Sequence, residues 1–466
     1  MSSSIVQLGM TAILAFYVAW NLGANDVANA MGTSVGSKAI TLRQALVVAG
    51  ILEFTGAVLF GQGVSTTLAT EVANPELFAG TPQLLILGMV SVLLACGLWL
   101  QIATNQGWPV SSSHAVVGAI AGFSWVAVGV GAVDWANIGR ITVAWVLTPV
   151  VSGILAAGFY SLVKYLILDQ PNPIEQLREW IPWLSATLLS VFGVIVLPTL
   201  FDRPLFAALP IPAHDLPIAT GTIAAVTLTL ISWRQLALLT TTPAFHTQHS
   251  GRTEEQHPDN TLPQSPLPLI PRGDPEFPNS QSRSADAHGG SPIPNPVERQ
   301  LGRFQVLSAC CVAFAHGSND VGNAIAPLAA IAYIIQTNTV PVTGFSVPLW
   351  ILILGGTGIV AGLAVWGKKV IATIGENIIP LQPSSGFCAE IATATTVLIA
   401  SRIGLPVSTS HALVGGVVGI GLIQNWRRVR FQTIKSIALA WLITLPVAAG
   451  LGATIFVCLR LLFLRG

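Results

Sequence analysis

Apolar residues run along this chain in stretches of about 20, long enough to cross a bilayer as helices and lacking the period-two alternation of half-buried strands. Such windows lie near residues 5–35, 44–66, 83–104, 108–128, 140–163, 181–200 and 214–234, and again near 304–335, 348–366, 384–401, 406–424 and 433–464. Between the two groups, residues 243–300 are rich in Pro, Ser, Gln, Asn and charge, with almost no bulky apolar side chain. That composition builds no core and predicts a disordered linker. The expected organisation is a first membrane part with additional spans over 1–242, a cytoplasmic linker over 243–300 and a second membrane part over 301–466.

Polar residues interrupt the apolar pattern twice in the same way. Gly23-Ala24-Asn25-Asp26-Val27-Ala28-Asn29-Ala30 returns as Gly317-Ser318-Asn319-Asp320-Val321-Gly322-Asn323-Ala324. Gly107-Trp108-Pro109-Val110-Ser111-Ser112-Ser113-His114-Ala115 returns as Gly404-Leu405-Pro406-Val407-Ser408-Thr409-Ser410-His411-Ala412. The spacing between the first and second motif is nearly equal in the two copies, which marks an internal repeat.

Basic residues orient the copies. Lys38 and Arg43 lie between the first two spans of the first copy, whereas the corresponding loop of the second, 336–347, has no Lys or Arg and Lys368-Lys369 follows its second span. The positive-inside rule therefore inserts the copies upside down relative to each other, with the N- and C-termini outside. Pro406 and the polar Ser408-Thr409-Ser410 suit the tip of a hairpin buried in protein better than a turn in lipid. The fold class expected is an all-α polytopic membrane protein of two inverted-topology repeats, with discontinuous helices and re-entrant helical hairpins.

Composition agrees with this reading. Of 466 residues 52% are hydrophobic and only 9% charged, with a mean hydropathy of +0.69, where a soluble domain carries about 25% charged residues. A net charge of +1 gives no electrostatic reason to expect a nucleic-acid partner. The N-terminus lacks a basic region ahead of its apolar run, so it is expected to be a first span and not a cleaved leader. The five cysteines stand in apolar segments without C-x-x-C spacing and read as small hydrophobes.

The chemistry resides in the repeated motifs. Proline lacks the N–H that a first-turn residue leaves unpaired, which places Pro109 and Pro406 at or near the first position of a helix. Ser111, Ser112, Ser113, Ser408, Thr409 and Ser410 then gather hydroxyls and free N–H groups at the positive end of a helix dipole, where an anion binds. The plainer reading is that these residues are only N-caps. Asp26 and Asp320, with Asn25, Asn29, Asn319 and Asn323 and carbonyls freed if the flanking glycines let the helix unwind, offer an oxygen-only environment for a hard cation or a proton. Hydrogen bonding to neighbouring helices is the alternative.

Glu53, in the second span, and Glu390, in the first arm of the second hairpin, are lone acids for a cation or proton path or for inter-helix bonding, and at the aligned places the other copy has roughly Gly355 and Leu93. His316 is a possible titrating group or a packed histidine. His114 and His411 follow the serines directly, but neighbours on a helix point about 100° apart, so a Ser–His nucleophile is not expected and a structural hydrogen bond is. No catalytic residue and no cofactor are expected.

At these residues the chain resembles the inorganic phosphate transporter (PiT) family, whose repeated G-x-N-D-V-x-N-A and paired G-x-P-V-S-x-S-H elements stand at 23–30, 317–324, 107–114 and 404–411. The resemblance implies a secondary active transporter that imports phosphate with sodium ions or protons by alternating access. It also implies an inverted-repeat dimer in the plasma (inner) membrane. It places phosphate at the serine-bearing tips and sodium around Asp26 and Asp320, and it makes Glu53 and Glu390 look like acids of the family. Besides phosphate the expected partners are membrane lipid and a second copy. Competing classes are a carrier of another tetrahedral oxyanion such as sulfate or arsenate, a phosphate channel, and a membrane hydrolase using Ser112 or Ser410.

Overall fold

Thirteen α-helices make up most of the described residues of the computed structural model, which are 2–106, 108, 110–198, 215–241, 295–341, 344–374 and 381–463. In chain order they are α1 (Ser2–Gly36), α2 (Leu42–Phe60), α3 (Gln62–Thr70), α4 (Pro82–Gln106), α5 (Ser112–Val128), α6 (Trp135–Val163) and α7 (Pro173–Ile195). They continue as α8 (Asp215–Thr241), α9 (Pro296–Thr337), α10 (Leu349–Ile374), α11 (Pro383–Arg402), α12 (Thr409–Asn425) and α13 (Phe431–Phe463). Local chemistry sets several of the starts. Thr41 and Gln44 form a capping box at α2, and Asp134 accepts from Asn137 N at α6.

Asn295 accepts from Val297 N ahead of Pro296 at the start of α9. As a result residues 296–300, which composition assigns to the linker, form the first turns of a helix: Asn caps it and Pro presets its φ. The remainder of the predicted linker, 243–294, lies outside the described residues.

Among the described residues seven segments are long and apolar enough to span a bilayer: Ser4–Gly36, Leu42–Phe60, Pro82–Gln106, Trp135–Leu168, Asp215–Leu239, Leu349–Gly367 and Phe431–Phe463. The windows read at α5, α7, α9, α11 and α12 fall outside that set. Helices α5 and α12 have only 17 residues each, and α7 opens with Glu175, Arg178 and Glu179. Helices α9 and α11 carry polar side chains instead, and they are wrapped by other helices: His316, Ser318, Asn319, Ser384, Ser385 and Glu390 are all fully buried. Polar residues at membrane depth are stable when protein, not lipid, surrounds them.

The two copies of the repeat exchange partners. Helix α1 packs against α10 and α9 against α2, at glycines where the backbones touch. A Cβ on Gly23 would lie 1.9 Å from Ile359 O, and one on Gly317 would lie 2.1 Å from Glu53 O. Gly362 approaches Trp20 O in the same way, and Gly56 approaches Phe314 O. Helix α5 packs against α13 through Gly122 at Ala449 O, and α12 against α6 through Gly419 at Gly153 O.

This geometry corrects two sequence expectations. The counterpart of Glu53 in the second copy is Ile359, not Gly355, because those two residues make matching contacts with Gly317 and Gly23. The helices also do not unwind at the Asn-Asp motifs: α1 and α9 run unbroken through Gly23 and Gly317. The glycines serve close helix approach and free no carbonyls. The breaks in the helical path come elsewhere, at Gly61 between α2 and α3, and in the connections from α4 to α5 and from α11 to α12.

Candidate functional site

Helices α5 and α12 begin at the serine motifs. Ser111 and Ser408 are the N-caps, each accepting from the backbone N–H three residues on, that of His114 and of His411. The plainer expectation thus holds for these two hydroxyls, while the N–H groups of Ser112, Ser113, Thr409 and Ser410 stand in the first turns, where no intrahelical acceptor exists. Pro406 lies two residues ahead of its cap and not at the first helical position; its carbonyl accepts from Trp145 Nε1 at 2.9 Å. Pro109 is outside the described residues.

The two helix starts touch. Ser113 Oγ donates to Val407 O at 2.8 Å, across the boundary between the copies. Asn323 Nδ2 reaches Ser112 Oγ at 3.1 Å and Ser113 Oγ at 3.3 Å, and it also donates to Asp320 Oδ1 at 2.9 Å. Asp320 Oδ2 accepts from Thr409 Oγ1 at 2.8 Å. The Asn-Asp motif on α9 therefore ties together the start of α5 and the start of α12. Ser410 Oγ and Ser408 Oγ share a hydrogen bond at 2.8 Å.

The motif on α1 faces the same place. Asn29 Nδ2 donates to Asp26 Oδ1 at 3.0 Å, and Asn25 Nδ2 to Thr104 Oγ1 at 2.9 Å. Between the motifs sits His316, fully buried, with Nε2 3.1 Å from Asp320 Oδ2 and 3.9 Å from Asp26 Oδ2, and Nδ1 3.3 Å from Glu53 Oε1. Asp26, His316 and Asp320 offer ligand atoms that all lie within 4.8 Å of one another. Three acids thus surround one imidazole, and among the described residues no Lys or Arg lies within ion-pair distance of them.

Glu390 does not join this group. It is fully buried among donors from α1 and α9: its Oε1 accepts from Thr33 Oγ1, from Ser34 Oγ at 2.7 Å and from Gln305 Nε2 at 3.4 Å, and its Oε2 accepts from Ser308 Oγ at 2.6 Å. His114 and His411 behave as structural hydrogen bonders. Each contacts a carbonyl of the helix packed on it, His114 Nδ1 with Trp441 O at 3.1 Å and His411 Nδ1 with Trp145 O at 3.3 Å. The two rings meet edge to face with centroids 4.9 Å apart.

The arrangement sets two helix starts, with N–H groups that have no intrahelical acceptor, beside three buried carboxyl groups, and among the described residues no Lys or Arg lies within ion-pair distance of those carboxyls. Comparison with known proteins decides the class. A sequence model of the phosphate transporter family matches residues 22–452. The chain belongs to the phosphate transporter family. Inorganic phosphate transporter 2-1, chloroplastic, of Arabidopsis thaliana is 39% identical over 450 residues, 95% of this chain and 70% of the plant protein. The solved structure of a sodium-dependent phosphate transporter matches with a TM-score of 0.79 and 33% identity, covering 98% of this chain and 99% of that one. As a member of the phosphate transporter family with seven apolar spans among the described residues, the protein is integral to the membrane and is a transporter, not an enzyme.

Sequence reasoning missed several of the supporting residues. Asn25 bonds Thr104 and Asn319 bonds Ser401, at 3.0 Å, and these two hydroxyl residues each precede the motif proline by five positions. Reading the repeat a few residues further upstream finds both. The ring of Thr33, Ser34, Gln305 and Ser308 around Glu390 has no matching set in the first copy, so no repeat signal marks it.

Proposed function

We propose that this protein imports inorganic phosphate together with sodium ions, by alternating access between two inverted repeats with re-entrant hairpins at α4–α5 and α11–α12. Phosphate binds between the helix starts, gripped by Ser111, Ser112, Ser113, Ser408, Thr409 and Ser410 and the N–H groups there. Sodium binds at Asp26 and Asp320 with Asn25, Asn29, Asn319 and Asn323 as oxygen donors. The observation that carries this reading is the single bonded network from Thr409 through Asp320 and Asn323 to Ser112 and Ser113, which joins the anion end of each copy to the cation motif. Reciprocal packing of the copies and the opposite placement of their basic loops support inverted insertion, with the termini outside the inner membrane.

Charge balance supports coupling. Asp26, Glu53 and Asp320, if ionised, against one imidazolium leave two negative charges, which two monovalent cations neutralise. Two cations carried with a singly charged phosphate move net positive charge inward, and each such charge gains about 2.3 kcal/mol per 100 mV of membrane potential. His316 at the centre favours a second reading in which protons replace sodium, because its ring can carry the positive charge itself. Glu390, ringed by hydroxyls, is a further candidate for the cation path.

The test is labelled phosphate uptake into proteoliposomes with sodium and pH gradients imposed separately. Uphill accumulation driven by the sodium gradient is expected, accumulation driven only by the pH gradient selects the proton, and non-saturating flux without accumulation would make the protein a channel. Competition by sulfate or arsenate as strong as that by unlabelled phosphate would reassign the substrate.

A further inference from the structure

Helices α2 and α10 leave an open groove on the outer face of the bundle. It is a cavity of about 680 Å³ lined by Leu46, Val47, Gly50, Phe54, Val360 and Leu363 among others, with Arg43 at one end. The lining positions Arg43, Val47, Gly50, Phe54 and Thr55 follow one face of α2. Val47 and Ile51 are 63% and 62% exposed, so the groove opens to the membrane rather than to the transport site.

Arg43 stands in the first turn of α2, after the Thr41 cap, the end of a helix where the dipole disfavours a cation. Among the described residues no carboxylate lies within ion-pair distance of it. An anion placed there meets both the guanidinium and the helix end. From Arg43 to Thr55 the groove runs 12 residues of helix, about 18 Å at 1.5 Å per residue, close to the roughly 15 Å of hydrocarbon in one leaflet.

We infer that this groove binds an anionic phospholipid, with the headgroup phosphate on Arg43 and one acyl chain lying along α2 and α10 towards the middle of the bilayer. The asymmetry of the two ends fits a lipid better than a second copy of the chain: one end is cationic and the rest apolar, as headgroup and tail require, whereas a symmetric pairing of two copies would bring the two Arg43 side chains into one interface.

Native mass spectrometry of the full chain with phosphatidylglycerol or phosphatidylcholine of identical acyl chains tests this. The wild type is expected to retain phosphatidylglycerol preferentially. Arg43→Gln lowers its retention about fivefold, the loss of one positive charge facing an anionic headgroup, and lowers that of zwitterionic phosphatidylcholine less, so that the preference between the two lipids shrinks. Val47→Trp, at an exposed position that fills the groove, lowers retention of both lipids. Lys38→Gln, in the loop just ahead of α2 and outside the groove, changes neither. Equal retention of the two lipids by the wild type overturns the inference, as does a Lys38→Gln loss matching that of Arg43→Gln. Efficient disulfide cross-linking of two copies through Val47→Cys also overturns it, because the occupant is then a second protein.

Discussion

The two Asn-Asp motifs are nearly the same eight residues, yet they are held differently. Asp320 is 1% exposed, accepts from Asn323 and Thr409 and lies 3.1 Å from His316 Nε2, while Asp26 is 5% exposed, accepts from Asn29 and lies 3.9 Å from His316 Nε2. The neighbourhoods explain the difference. Where the second copy has His316 facing Glu53, the first has Leu22 at the matching place on α1, and Ile359 takes the place of Glu53. A duplicated scaffold has thus been given a polar pair on one side and an apolar pair on the other. The Asp of the polar side is locked into the network, and the Asp of the apolar side keeps an oxygen available.

Replacing either carboxylate is the harshest way to probe that contrast. Asp26→Asn and Asp320→Asn are both expected to reduce phosphate uptake in proteoliposomes to background. Thermal unfolding should separate them: Asp320→Asn leaves buried donors poorly matched, at about 1–3 kcal/mol, while Asp26→Asn stays near wild type. Equal destabilisation would remove the distinction drawn between the copies.

Making the copies alike comes next. His316→Leu strands the Glu53 carboxyl in the core and is expected to destabilise by about 3–5 kcal/mol. Adding Glu53→Ile recreates the apolar pairing of Leu22 with Ile359 and should recover most of that stability without recovering cation-driven uptake. A double variant as unstable as the single one contradicts the equivalence of Glu53 and Ile359.

Smaller effects are expected at the hydroxyls. Ser112→Ala and Thr409→Ala each remove one hydrogen-bonding group and should raise the half-saturation for phosphate by roughly 2- to 12-fold, the equivalent of about 0.5–1.5 kcal/mol. An unchanged value moves the anion site elsewhere. Smallest of all is the contrast between Ser401→Ala and Thr104→Ala. Ser401 accepts from Ser318 and Asn319 whereas Thr104 accepts only from Asn25, so the former should lower the unfolding temperature more.

Much of this was legible in the chain itself. The membrane class, the family and the pairing of serine motifs with Asn-Asp motifs follow from apolar windows and from two motifs each present twice. The alignment of α2 with α10 was not, because Gly50, Gly56, Gly355, Gly356, Gly358 and Gly362 allow several registers and only the backbone contacts choose one. Glycine beside Asp reads equally as an unwinding point or as a contact point, and sequence offers no way to tell them apart. His316 was readable as a possible titrating group or a packed histidine, but its place between the acids was not, since its counterpart Leu22 shares none of its chemistry and the repeat gives it no second copy.

Chain order and mechanical grouping do not coincide in this molecule. Helices α1, α2, α9 and α10 form one set, while α5 pairs with α13 and α6 with α12; the set and each pair are stitched from both copies through glycine seams. A rocking motion that turned residues 1–242 against residues 301–466 would have to tear all four seams at once. Alternating access, as proposed above, would therefore have to carry helices of both copies together, not turn one copy against the other.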